Sequence, residues 1–166
     1  MSRRLRRASL TLHVLSSVGW FGAVGVFLAL SVVAVGSDDG QVVEAAYVTM
    51  GWAGGWVLVP LAAASLTTGV VEGLTTRWGL VRHYWVLFKL LLTLAATVVL
   101  VLYTRTLSVL AADAVDGGPE LDGATVVVHS GAALVLLVAA TVLAVFKPRG
   151  RTGWGRAAGG SVTVGS

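Results

Sequence analysis

The chain contains no cysteine. Disulfides, thiolate nucleophiles and Cys-ligated metal or iron–sulfur centres are therefore excluded. Charge is scarce as well, at 12% of 166 residues against 56% hydrophobic. A soluble domain carries about twice that charged fraction. The deficit is uneven: charges form short clusters, and between them lie apolar runs long enough to cross a bilayer core, which takes about 20 helical residues. Lysine is rare beside Arg, Ala, Gly and Val, a composition associated with high-GC bacterial genomes. Catalytic motifs are missing too. There is no HExxH zinc pair, no GxSxG nucleophile elbow, no P-loop and no GxGxxG after a strand. A net charge of +4 does not point to nucleic acid, because the basic residues flank apolar spans as topology signals do.

What is present predicts an all-α polytopic membrane protein, a four-transmembrane-helix up-down bundle of one domain. Residues 1–7 form a basic N-terminus with Arg3, Arg4, Arg6 and Arg7. The first span is expected over 8–35; it is too long for a signal-peptide core and is read as retained. A turn at Gly36-Ser37-Asp38-Asp39-Gly40 leads to a second span over 42–71. Pro60 lies inside it, which predicts a kink between Trp56 and Pro60, since proline lacks an N–H and crowds the carbonyl four residues back. The third span is expected over 84–110 and the fourth over 124–146, joined by an acidic loop from Asp113 to Asp122. Residues 147–166 read as a basic, Gly/Ser-rich disordered tail.

Charge placement orients the spans. With both termini in the cytoplasm, the inner side receives the N-terminal arginines, Arg77, Arg82, Lys89, Lys147, Arg149, Arg151 and Arg156, and only Arg105 lies toward the outside. That is the positive-inside pattern of a bacterial cytoplasmic membrane protein. The lipid bilayer is the primary partner. Small residues at Gly25-x-x-x-Ala29, Gly51-x-x-x-Gly55 and Gly69-x-x-x-Gly73 suit close helix contacts, either within one chain, which a four-helix unit favours, or in a homodimer or with a membrane partner. Trp78 and Trp85 fit an interfacial aromatic belt, whereas Trp20, Trp52 and Trp56 lie deeper and suggest a ligand cage.

Ionisable residues within spans are costly and so are candidate functional groups. An inner cluster comprises His13, Glu72 and Lys89, with His83 at the boundary. His13, Ser16, Ser17 and Trp20 share one helical face; Ser65, Thr68 and Glu72 share another; Lys89, Thr93, Ala96 and Thr97 a third. Three polar stripes can thus converge near the cytoplasmic leaflet. One reading is a haem, metal or proton-handling site, with His13 and Lys89 as cofactor-binding candidates and His13 and His83 as metal ligands. The other, favoured by proximity to the boundary, is a structural ion pair with Lys89 snorkelling to the interface. An outer cluster comprises Glu44, Arg105 and His129, close enough to the opposite boundary to be hydrated.

Leu12-His13-Val14-Leu15 with Gly19-Trp20-Phe21-Gly22, then Pro60, Thr68-Gly69 and the long stretch from Arg77-Trp78-Gly79 to Tyr84-Trp85-Val86-Leu87-Phe88-Lys89, resemble a family of uncharacterised four-helix membrane proteins of high-GC Gram-positive bacteria. The similarity covers about residues 8–146. More remotely, the arrangement is similar to the copper-resistance D type membrane domain and to the membrane-bound, oxygen-independent protoporphyrinogen oxidases. That resemblance implies a haem- or porphyrin-site role for His13 and a third-helix motif at Trp85 and Lys89. Late in the third span Tyr103 and Arg105 stand where those oxidases tend to have a histidine.

Three functional expectations follow. The first is a structural, partner-binding or accessory membrane protein without catalysis. The second is a haem- or metal-binding membrane protein using His13. The third is a small transporter or proton-coupled carrier, for which Pro60 and the polar stripes are suitable but no pair of broken helices in matching halves is found.

Overall fold

The computed structural model describes residues 2–76, 80–116, 123–147, 150 and 152. They form α1 (Arg3–Gly36), α2 (Gly40–Ala53), a π-helical turn (Gly54–Leu58), α3 (Val59–Thr75), α4 (Tyr84–Val115) and α5 (Gly123–Phe146). The helix α2, the π turn and α3 run on as one rod from Gly40 to Thr75, so there are four rods, each long and apolar enough to cross a membrane. No strand occurs among the described residues.

Local chemistry explains most of the boundaries. Ser2 caps α1 by accepting from the Leu5 N–H, and Asp39 caps α2 by accepting from the Gln41 N–H at 2.9 Å. Lys147 ends α5 in the left-handed region, at φ 44°. The helix α4 continues to Val115, beyond the expected end at 110, because Ala111-Ala112-Asp113-Ala114-Val115 contains no helix-breaking residue. Asp113 therefore belongs to the helix, while residues 117–122 lie outside the described residues.

Around Pro60 the chain departs from a regular helix by widening. The Val59 N–H bonds to the Gly54 carbonyl, five residues back. Pro60 has no N–H to offer the Trp56 carbonyl, and its ring crowds that oxygen. A wide preceding turn accommodates both facts.

The rods pack as a square. Helix α1 touches α2, α3 and α5; α4 likewise touches α2, α3 and α5. Neither diagonal, α1 with α4 or the α2–α3 rod with α5, makes a backbone-level contact. Consecutive rods are thus neighbours, the up-down topology expected of short connections. The core on the axis holds Trp20, Phe27, Tyr47, Met50, Leu58, Leu107 and Val126. The outward faces are also apolar, with Leu15, Phe88, Leu102, Val135 and Phe146 exposed; soluble monomers rarely present such a continuous apolar exterior.

Glycines set several of the approaches. A Cβ on Gly51 would lie 2.7 Å from the Ala111 Cβ, and one on Gly69 would lie 3.1 Å from the His13 ring. A Cβ on Gly25 or Gly55 would meet nothing within 4 Å among the described residues. Small residues in the second rod are therefore used within the chain at 51 and 69, while Gly25 faces outward. One part of the tail is docked. Thr152 is buried, its N–H donating to the Arg82 carbonyl at 3.0 Å and its hydroxyl to the Val81 carbonyl. Residues 153–166, expected to be disordered, lie outside the described residues.

Candidate functional site

The three polar stripes meet on the bundle axis. His13, on α1, directs Nδ1 at the α3 backbone and hydroxyl: 3.2 Å to the Ser65 carbonyl and 3.0 Å to Thr68 Oγ1. A carbonyl only accepts, so Nδ1 carries the hydrogen. The Thr68 hydroxyl donates to the Ala64 carbonyl at 2.6 Å, which leaves its oxygen to accept from His13. The neutral ring's lone pair is then on Nε2, and Lys89 Nζ stands 3.4 Å away as the donor to it. Ser17 and Ser65 share a hydrogen bond at 2.8 Å one turn further in.

The spacing of these residues explains the convergence. His13 and Ser17 are four apart on α1, and Ser65 and Thr68 three apart on α3, so each pair projects from one face. Gly69 removes the side chain that would otherwise block the imidazole. Lys89 reaches inward across the α1–α4 diagonal, where the backbones do not touch, and so contributes the link between those two rods. Glu72 lies within electrostatic reach of His13. Its Oε1 is buried with no hydrogen-bond partner among the described residues.

The surroundings of His13 do not fit an iron or other metal as arranged. Nε2, the nitrogen a metal would take, faces an ammonium, and a cation placed there would meet like charge. His83 caps the start of α4, six residues before Lys89 and so about 9 Å lower along the helix. Among the described residues no group of three His, Cys, Asp or Glu side chains could hold a metal ion.

The outer residues are placed differently. Glu44 and Arg105 are both exposed, on α2 and α4. His129 turns instead toward Tyr103, with ring centroids 4.1 Å apart and planes 10° from parallel. Its Nδ1 donates to the Thr125 carbonyl at 2.8 Å. Of the three deep tryptophans only Trp20 is interior, at 2% exposure; Trp52 and Trp56 are 64% and 73% exposed and form no cage. Trp78 and Arg77 lie outside the described residues.

A second feature had no sequence signal. A cavity of about 220 Å³ lies above Trp20, walled by α1, the π turn, α4 and α5. Tyr103 and His129 both line it. These two residues are on different rods, so no spacing within one helix links them, and neither was readable as a pair. Compared with family models, with curated proteins and with solved structures, the chain matches none of them.

Proposed function

We propose that this protein is a small multi-pass integral membrane protein of the bacterial cytoplasmic membrane, with both termini in the cytoplasm and a non-catalytic, structural or partner-binding accessory role. The observation that carries this reading is the inner polar cluster. His13, Ser17, Ser65, Thr68 and Lys89 bond to one another across three rods, which is how polar groups act as ties inside an apolar bundle. The outward Gly25-x-x-x-Ala29 face on α1 supports contact with a second copy or another membrane protein.

Orientation rests on charge. Arg3, Arg4, Arg6, Arg7, Arg82 and Lys147 stand at one end of the bundle, and Asp38, Asp39, Glu44, Asp113 and Asp116 at the other. The test is single-cysteine labelling in this cysteine-free chain. Replacements at Asp38 and Asp116 should react with an impermeant maleimide in intact cells, and one at Arg82 only after permeabilisation. Labelling of position 82 from outside would reverse the orientation.

One observation favours a second reading. A histidine whose Nδ1–H is held by a backbone carbonyl, leaving Nε2 toward the interior, has the geometry used by metal- and haem-ligating imidazoles. The similarity of the Trp85/Lys89 and His13 motifs to haem-binding membrane oxidases supports it as well. Haem there requires Lys89 to swing away. An optical spectrum of protein purified from haem-replete cells decides between the two readings. The accessory role expects a colourless preparation; a Soret band that disappears in His13→Ala would establish the cofactor instead.

A further inference from the structure

The cavity above Trp20 has properties that the accessory role does not use. Its volume, about 220 Å³, exceeds the roughly 150 Å³ of an engineered apolar cavity that accepts benzene. A substituted six-membered ring fits. Among the described residues no Asp, Glu, Lys or Arg lines it, and most of its wall is aliphatic, which selects a neutral guest.

The wall nevertheless contains an indole donor without a partner among the described residues. Trp20 is 2% exposed, and its indole Nε1 is buried with no hydrogen-bond partner among the described residues. Buried polar groups are nearly always paired, so an unmatched indole N–H beside a cavity calls for an acceptor. Two neighbouring donors are already engaged. His129 Nδ1–H goes to the Thr125 carbonyl and the Ser130 hydroxyl to the Val126 carbonyl. The acceptor that satisfies Trp20 is then a group on the guest, such as a carbonyl oxygen.

Shape narrows the guest further. Tyr103 and His129 stack nearly parallel and both line the cavity, supplying flat aromatic surface suited to a planar ring. Val99 on α4 and Ala132 on α5 line the cavity and are also exposed on the outer face of the bundle. The opening therefore lies between α4 and α5 and faces sideways. In the membrane reading above, on which this one point rests, that direction is lipid.

We propose that the cavity binds a neutral planar lipophile with a ring carbonyl, of the quinone class. Its ring packs against the Tyr103–His129 pair, its oxygen accepts from Trp20 Nε1, and its apolar tail leaves between α4 and α5 into the bilayer. No redox step is implied; the site is one of recognition.

The test uses the full chain in lipid nanodiscs, with 2-decyl-1,4-benzoquinone as the probe and decylbenzene as its carbonyl-free control. Calorimetric titration, corrected with empty nanodiscs, should show saturable quinone binding, with decylbenzene about ten-fold weaker, the value of one hydrogen bond. Trp20→Phe should weaken quinone binding by a similar factor. It should also abolish the low-frequency shift of the bound carbonyl stretch in the infrared. Ala133→Leu, which fills the cavity from α5 and leaves Trp20 in place, should remove binding and serves if Trp20→Phe folds poorly. Equal affinity for the two probes, or quinone binding unchanged in whichever variants fold, would overturn the proposal. The outcome is separable from the membrane reading: a chain that fails the labelling test and still binds the quinone in detergent sinks the bilayer assignment and leaves this site standing.

Discussion

Gly51→Leu is expected to destabilise the protein by about 3 kcal/mol, the upper range for overpacking a close contact. At this position even a single Cβ would lie 2.7 Å from the Ala111 Cβ and 3.4 Å from the Leu107 carbonyl oxygen. Neither atom can rotate aside, because one is a Cβ fixed by the α4 backbone and the other is the backbone itself. The α2 and α4 rods must separate, and with them the neighbouring contacts of Met50 and Leu107 in the core. Two comparisons isolate the cause. Gly55→Leu, with nothing near it, should unfold like the wild type. A Cβ on Gly73 would meet Leu80 Cδ2 first, the far end of a flexible side chain, so Gly73→Ala should cost less than Gly51→Ala. Unfolding by SDS titration from mixed micelles measures all four, and equal losses at 51 and 55 would refute the packing account.

The second large effect concerns the diagonal tie. His13→Leu is expected to cost about 2 kcal/mol, because it leaves the Lys89 ammonium in an apolar interior without its acceptor. Lys89→Met alone removes one interhelical hydrogen bond and should cost about 1 kcal/mol. The double replacement puts two apolar groups of similar size where two polar ones stood. It should lie within about 1 kcal/mol of the wild type, because the ammonium and its acceptor are removed together. The coupling between the sites is therefore expected to be about 2–3 kcal/mol and favourable. Strictly additive losses would mean that the 3.4 Å contact contributes nothing. The same cycle informs the cofactor reading, since a haem ligand lost at His13 is not rescued by changing Lys89.

Several of these features are legible from residue order alone. The four rods follow from apolar length between charge clusters, and the inner node follows from polar residues repeated at three- and four-residue intervals on three of them. Which rods the node joins is not legible. Lys89 bridges a diagonal, and adjacency on a square is a property of the assembled bundle. The aromatic residues show a second limit. Hydropathy places Trp20, Trp52 and Trp56 at depth, yet in helices apolar all round it does not say which face is inward. Trp20 is interior while Trp52 and Trp56 point out. The Tyr103–His129 stack and the cavity beside it depend on two rods meeting, and nothing in either segment announces the other.

The wide turn at Gly54–Leu58 sets the angular phase of the second rod. A π turn takes up one residue more than an α-helical path would, which rotates everything after it by about 100° relative to everything before. Gly51 and Met50 on one side of it face α4 and the core, while Ser65 and Thr68 on the other face His13. Deleting a single residue such as Gly55 would leave a regular helix of nearly the same length and hydropathy. Its two halves would keep the phase they have now, because the residue removed is the one the wide turn absorbs, whereas a regular helix retaining every residue would set them about 100° out of step. A relative of this chain one residue shorter at this turn should therefore keep both seams on a regular helix, with no wide turn.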